Sequence, residues 1–302
     1  LFTVPILLMN NFTLYMIAAG KASLSLLCSV AGGVTNIVLD YLFIAVFRWG
    51  IGGAAVATGL GYSITAIVGL LVFSNRNSLL HFVRPVCRPQ TLGRAVTNGC
   101  SEMATALVNG IITLMFNWTM LKYVGEDGVA AITIISYVLA FAGSLYAGYA
   151  YGVAPMLSFY YGEQNHEKLR KLVRTSLKII GAIAAATVLV SLAVTEPLVS
   201  IFARPGTPVY DLAVAGNRIC SLALLFVGFN IFASGMFTAL SNGLISAVLA
   251  FSRTFVFTLI AMLVLPVILG VTGIWLATPA AELAAVVLSA VMLLKYRRRY
   301  CY

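Results

Sequence analysis

Residues 20–76 return 223 positions later, without a gap, as residues 243–299, with 16 identities in 57 columns. Gly20, Ser23, Gly50, Ile51, Ala54 and Ala57 recur as Gly243, Ser246, Gly273, Ile274, Ala277 and Ala280, and both copies close on an arginine, Arg76 and Arg299. Both copies are strongly apolar, which raises chance matching. A Gly-Ile-x-x-Ala-x-x-Ala turn-to-helix signature at a fixed offset is harder to obtain from composition, and it points to a duplicated membrane bundle. The copies differ in what precedes them. About 150 residues separate Arg94, near the start of the second half, from Gly243, whereas only 19 precede Gly20. The asymmetry predicts an amino-terminal truncation of roughly 130 residues, about three spanning helices.

Apolar runs long enough to cross a bilayer as helices lie near 1–19, 23–47, 51–73, 95–121, 129–157, 173–194, 212–238, 244–269 and 272–295. The chain is 61% hydrophobic and 9% charged, with a mean hydropathy of +1.00. A soluble domain carries about 25% charge, so this composition excludes one. Barrel-type alternation is absent, and in lipid only helices or closed barrels satisfy the backbone. The expected fold is an all-α polytopic membrane protein with nine transmembrane helices present.

The net charge of +10 does not indicate a nucleic-acid partner, because the basic residues sit in alternate loops. One set holds Lys21, then Arg76, Arg84, Arg88 and Arg94, then Lys168, Arg170, Lys171, Arg174 and Lys178, then Lys295 and Arg297 to Arg299. The other holds Arg48, Lys122, Arg204 and Arg218. The positive-inside rule places the first set, and the carboxyl terminus, in the cytoplasm. Six spans then separate the two copies, so they run in the same direction about an axis along the membrane normal. The polar stretch from Ser74 to Gly93, with Pro85 and Pro89, is the natural joint. The expected organisation is residues 1–80 as the last helices of a first lobe, 81–93 as a cytoplasmic connection and 94–302 as a complete second lobe. Five scattered cysteines suggest neither disulfides nor a metal site, and His81 and His166 are expected to be solvated loop residues.

A charge inside the bilayer is expensive, so the acids within spans are functional candidates: Asp40, Glu102 and Glu282. Asn36 and Asp40 are four apart and share a helix face. Thr58, seven residues into the next span, is expected at a matching depth, about 10 Å below the outer surface. A carboxylate, an amide carbonyl and a hydroxyl at one depth suit a small hard cation such as Na+, or a proton on a buried aspartate. The repeat equivalents of Asn36, Asp40 and Thr58 are Leu259, Leu263 and Ala281, so the cluster is one-sided. The structural alternative is that Asp40 caps or pairs with a helix outside this chain.

Glu102, with Asn109 and Asn117 further along the same span, is a candidate for attracting cationic substrate or shuttling a proton, and equally for pairing with an arginine of the joint. Glu282 and Arg253 are expected at different depths, which argues against a direct ion pair and for separate structural roles. Pro155, Pro266 and Pro279 lie within spans, as hinge candidates or packing sites. Tyr137, Phe141, Tyr146 and Tyr149 share one span and offer faces for stacking a flat organic cation, or for lipid.

At Asn36-x-x-x-Asp40-Tyr-Leu-Phe-Ile and Gly50-Ile-Gly-Gly-Ala-Ala-Val-Ala-Thr58 the sequence resembles the multidrug and toxic compound extrusion (MATE) family. Gly99-Cys-Ser-Glu102, Gly125-Glu-Asp-Gly-Val-Ala-Ala, the run from Gly152 to Gly162, Phe237-Thr-Ala-Leu and Gly273-Ile-Trp are similar to its bacterial drug-efflux branch. The resemblance implies twelve helices in two six-helix lobes around a central cavity, exchanging cytoplasmic drugs for external Na+ or H+. It also implies a cation site in the first lobe, made by an Asp of the first helix with Asn36, Asp40 and Thr58. The first-helix Asp lies outside this chain. Members with acids in the second lobe use the seventh and tenth helices; Glu102 matches the former, while the tenth offers only Asp211 and Asn230.

The expected function is therefore a secondary antiporter that exports amphipathic, mainly cationic drugs in exchange for H+ or Na+. Asn36, Asp40 and Thr58 would couple the ion, and Glu102, Asn109, Tyr137 and Phe141 would bind substrate or a second proton. No cofactor is expected, and the partners are small organic cations and membrane lipid. The expected state is a multi-pass monomer of the plasma membrane, and the truncated chain alone is expected not to transport. The alternative within the superfamily, a lipid-linked saccharide flippase, needs basic residues in the cavity, and the spans offer mainly Arg253. An intramembrane acid-pair enzyme is disfavoured, since Asp40 and Glu102 lie toward opposite faces and no nucleophile or metal pattern accompanies them. A non-transporting scaffold would leave the buried acids without purpose.

Overall fold

The computed structural model describes residues 2–76, 80–84, 89–300 and 302. All regular structure in them is helical, and they divide into two compact units, Leu1–Arg88 and Pro89–Tyr302. Among the described residues, seven helices are long and apolar enough to cross a membrane.

The first unit holds α1 (Thr3–Ala18), α2 (Ala22–Asp40) and α3 (Gly50–Ser74). A π-helical turn, Tyr41–Val46, prolongs α2 directly after Asp40. Both α1 and α2 pack on α3, which alternates small residues along its buried side: Gly53, Ala57, Gly61 and Ala66. Small residues let helix backbones approach where lipid supplies no hydrophobic drive between helices. At the α2–α3 crossing, a Cβ on Gly32 would stand 2.8 Å from the Gly61 carbonyl oxygen, and one on Gly61 would stand 2.8 Å from that of Gly32. Near the other end of α3, Phe12, Met16, Ala19 and Phe73 are buried together, and Phe82 folds back to stack edge-on against Phe12 and Phe73. Much of the remaining apolar surface points outward, Ile37 and Ile51 for example, as lipid-facing helices require.

The second unit is built from α4 (Pro89–Tyr123), α5 (Glu126–Gly162), α6 (His166–Ala193), the short α7 (Thr195–Phe202), α8 (Pro208–Cys220), α9 (Leu224–Ala239), α10 (Gly243–Phe251), α11 (Thr258–Leu269) and α12 (Val271–Tyr300). Two pairs are single rods with an irregular turn inside. A 3-10 turn, Ser221–Ala223, joins α8 to α9, and a π-helical turn, Ser252–Phe257, joins α10 to α11. The helices run through Pro155, Pro266 and Pro279 without a change of helix type; the irregular turns lie elsewhere. The prolines are therefore not where these rods change winding.

Helix starts follow local chemistry. Asn165, Thr207 and Asn242 accept a hydrogen bond from the third backbone N–H of α6, α8 and α10, and Pro208 sits at the first position of α8. His166 is the exposed first residue of α6 rather than a loop residue. Two large apolar clusters, with a smaller one around Tyr146 and Leu224, fill the unit. One holds Met120, Ile135, Ala213, Ile274 and Trp275, and the other holds Leu157, Leu169, Ile180, Phe232, Phe237 and Tyr300. Between them the Tyr146 hydroxyl donates to the Leu224 carbonyl oxygen at 2.8 Å and lies 2.6 Å from the Thr187 hydroxyl. The α11–α12 connection is tight: Gly270 takes φ +59°, and a Cβ on Gly273 would collide with the Leu265 carbonyl.

Candidate functional site

The glycine crossing of α2 and α3 sets the geometry of the first-unit site. It brings Asn36 against α3, where its side-chain N–H donates to the Thr58 hydroxyl at 3.3 Å. Thr58 in turn donates to the Ala54 carbonyl oxygen at 2.9 Å, so the Asn36 carbonyl oxygen is left as an acceptor. Asp40 lies one turn beyond Asn36, at the junction with the π-helical turn. Its Oδ1 is buried and has no hydrogen-bond partner. Such an atom is rare and costly, since a buried acceptor without a donor loses its solvation for nothing. A cation or a proton satisfies it. The oxygen set of Asp40, Asn36 and Thr58 is hard and suits H+ or Na+. Asn36 and Thr58 are thus brought into contact, and Asp40 sits beside them without a hydrogen bond to either.

In the second unit the expected separation of Arg253 and Glu282 is overturned. Arg253 Nε stands 2.8 Å from Glu282 Oε1 and 3.0 Å from Oε2, a direct ion pair. Backbone depth does not fix side-chain depth: the long arginine side chain reaches the carboxylate, and Arg253 lies in a π-helical turn that the apolar pattern does not mark. Asn230 donates to Glu282 Oε2 at 2.7 Å and to the Glu282 backbone carbonyl at 3.0 Å. Ser289 holds the Asn230 carbonyl oxygen at 3.0 Å. Glu282, Asn230 and Ser289 are all buried.

The remaining candidates separate. Glu102 belongs to α4, but its side chain lies outside the described residues. Asn109 is exposed on α4. Tyr137 and Phe141 are exposed on one face of α5, while Tyr146 turns into the core and the Tyr149 hydroxyl donates to Ser176 at 3.1 Å. The four aromatics are therefore not one stacking surface. Tyr137 lines a cleft of about 790 Å³ between α4, α5, α7 and α8, together with Trp118, Phe202, Asn117, Thr133 and Glu126. Phe141 lies outside that lining. Three aromatic rings and one carboxylate form a concave surface suited to a flat cationic molecule. The parts of this cleft contributed by Trp118 and Phe202 come from helices far apart in sequence, and only the exposed aromatic and acid near the α4–α5 turn hinted at it.

A third polar cluster escaped sequence reasoning. Asn217 is buried and donates to Thr195 at 2.9 Å and, more weakly, to Ser191 at 3.4 Å, beside a Ser191–Ser221 contact of 2.7 Å. Its residues are uncharged and scattered over α6, α7, α8 and the 3-10 turn, so no linear pattern marks them.

The family model described as MatE matches residues 103–264, more than half of the chain. The multidrug export protein MepA of Staphylococcus haemolyticus (strain JCSC1435) is 22% identical over 284 residues, which is 93% of this chain and 62% of the relative. MepA of Staphylococcus saprophyticus is 22% identical over 285 residues, 93% of this chain and 61% of the relative. The chain thus spans 62% and 61% of the length of these two proteins. A crystal structure of MATE in complex with MaL6 superposes with a TM-score of 0.87 at 23% identity, over 98% of this chain and 67% of that one. The outward-facing conformation of a multidrug resistance MATE family transporter of the MOP superfamily gives 0.82 at 24%, over 93% and 63%. At these identities the likeness is one of fold.

Proposed function

Because this chain belongs to the MatE family, we propose that it forms part of a secondary antiporter that exports amphipathic, mainly cationic compounds in exchange for H+ or Na+. The observation that carries the reading is the buried, unpartnered Oδ1 of Asp40 beside the Asn36–Thr58 hydrogen bond. When the external ion is taken at Asp40, the orphaned oxygen is satisfied, and the packing of α2, its π-helical turn and α3 shifts to a state with a different affinity for drug. Coupling requires only that ion and drug favour different states. π-Helical turns often mark functional sites, and this one begins at the residue after Asp40.

On this reading α1 and α4 also span, giving nine helices of a twelve-helix pair of lobes related by an axis along the membrane normal. Residues 1–80 close the first lobe, 81–93 connect, 94–302 form the second, and the carboxyl terminus is cytoplasmic in a plasma-membrane monomer. The aromatic cleft with Glu126 and Tyr137 is the drug-facing surface of the second lobe, with Glu102 and Asn109 on the same helix, α4, as Trp118. The multidrug export named for the MepA relatives supports small-molecule drugs as the substrates. The flippase alternative loses its main support, because the Arg253 guanidinium is paired with Glu282 rather than offered to a pyrophosphate.

The test reconstitutes the transporter in proteoliposomes loaded with a cationic dye. Dye movement driven by an imposed pH gradient or Na+ gradient supports antiport and names the ion. Movement that ignores both gradients contradicts it.

A further inference from the structure

The two membrane acids with described side chains are served in opposite ways. Asp40 keeps a buried oxygen with no partner, whereas both oxygens of Glu282 are filled, by Arg253 and Asn230. The chemistry around them is nonetheless alike: a carboxylate, an amide and a hydroxyl. The likeness is not inherited from the repeat. At the 223-residue offset Asp40 corresponds to Leu263, Glu282 to Gly59 and Arg253 to Val30. Each unit therefore has a separately built acidic site.

The way Arg253 addresses Glu282 is informative. An arginine usually meets a carboxylate with a two-nitrogen fork. Here Nε alone reaches both oxygens, at 2.8 and 3.0 Å, so the positive group lies near the bisector of the carboxylate. A single small cation bound bidentately takes that same place. The chain also gives up helix regularity there. Arg253 is the second residue of the π-helical turn Ser252–Phe257, and the Thr258 hydroxyl donates to the Arg253 carbonyl oxygen at 3.1 Å, compensating the widened turn. A carboxylate buried in mid-span needs a cation within reach. This one has a cation attached to the chain.

We propose that Arg253 is a tethered cation: its guanidinium fills, from within the protein, a monovalent-cation site formed by the Glu282 carboxylate and supported by Asn230 and Ser289. The second unit thereby keeps at all times the packing that a bound ion would give it. This assignment stands without the role proposed for Asp40. Only its consequence for coupling, that the exchanged ion is taken in the first unit alone, rests on that role.

The experiment removes the tether and asks whether a free cation replaces it. Thermal unfolding is measured for Asp40→Asn, which removes the first-unit carboxylate, and for Asp40→Asn combined with Arg253→Ala. Each is melted in choline chloride, in sodium chloride at equal ionic strength, and in choline chloride with millimolar guanidinium, far below denaturing amounts. The expected result is that the Arg253→Ala variant melts about 5 °C higher with Na+ or guanidinium than in choline alone, while its parent does not respond. Adding Glu282→Leu should abolish the response. Equal midpoints in all three salts overturn the proposal, as does a response that survives Glu282→Leu. So does an Arg253→Ala variant that cannot be recovered folded in any of the salts, since no free cation then substitutes for the side chain. Because every protein compared carries Asp40→Asn, failure here leaves the antiport reading of Asp40 untouched.

Discussion

Gly32 and Gly61 face each other across the α2–α3 crossing so closely that a Cβ on either would stand 2.8 Å from the other's carbonyl oxygen. The same contact sets Asn36 beside Thr58, because a Cβ on Gly61 would also stand 3.1 Å from Asn36 Cβ. Gly61→Ala should therefore push the helices apart, at a cost of about 1–3 kcal/mol by overpacking. It should also lengthen the 3.3 Å Asn36–Thr58 hydrogen bond. Thermal unfolding gives the first effect. Ion dependence of transport should fall further than stability does, and an unchanged ion dependence would detach the crossing from the site.

Arg253 and Glu282 form a single ion pair around a buried carboxylate, with Arg253 partly buried, so the cost of breaking it and the cost of replacing it should differ. Arg253→Leu alone or Glu282→Leu alone should destabilise by about 3–5 kcal/mol, because each leaves one uncompensated charge in mid-span. Arg253→Leu combined with Glu282→Leu should recover most of that loss. Denaturation of the three variants against the parent forms a double-mutant cycle. Additive losses would mean that the 2.8 Å contact is energetically idle.

Tyr146 joins α5 to α6 and α9 through one hydroxyl, bonded to the Leu224 carbonyl oxygen and to Thr187. Tyr146→Phe keeps the ring in place and removes both bonds. The expected loss is about 1–3 kcal/mol, since two polar groups in a buried layer lose a partner. Amide exchange in α9 should accelerate near Leu224 while α12 is unaffected.

The aromatic cleft predicts a substrate effect rather than a stability effect. Tyr137 is 63% exposed, so Tyr137→Ala should change the melting temperature little. Loss of one ring over a planar cation removes about 0.5–2 kcal/mol, a rise of about 2- to 30-fold in the half-saturating dye concentration. Glu126→Gln should weaken cationic dyes more than neutral ones. Phe141→Ala, outside the cleft lining, should leave both unchanged.

Much of the fold is legible in the sequence because lipid imposes one rule on every span. Runs of apolar residues mark the rods, and the polar breaks at Gly20, Arg48 and Ser241 fall where the structure turns, each with a positive φ. The acid, amide and hydroxyl of the first unit are legible for a similar reason: i, i+4 spacing fixes the shared face of Asn36 and Asp40. What is hidden depends on lateral packing. The π-helical turns after Asp40 and around Arg253 leave no mark in composition, and Pro155, Pro266 and Pro279, read as hinge candidates or packing sites, do not mark the irregular turns. The Arg253–Glu282 pair was obscured by treating side-chain depth as backbone depth. The cleft of Trp118, Tyr137 and Phe202 needed three helices to be brought together before it existed.

On this reading Asp40 takes the coupling ion, and the most direct measurement compares the parent transporter with Asp40→Asn in proteoliposomes, recording cationic dye transport under an imposed H+ or Na+ gradient. The amide keeps the shape of the side chain but cannot balance a cation's charge or take up a proton as a carboxylate does. Gradient-driven transport should be present in the parent and lost in Asp40→Asn, with both proteins folded to the same melting temperature. Equal gradient-driven transport by the two proteins would contradict the claim and remove Asp40 from the coupling site.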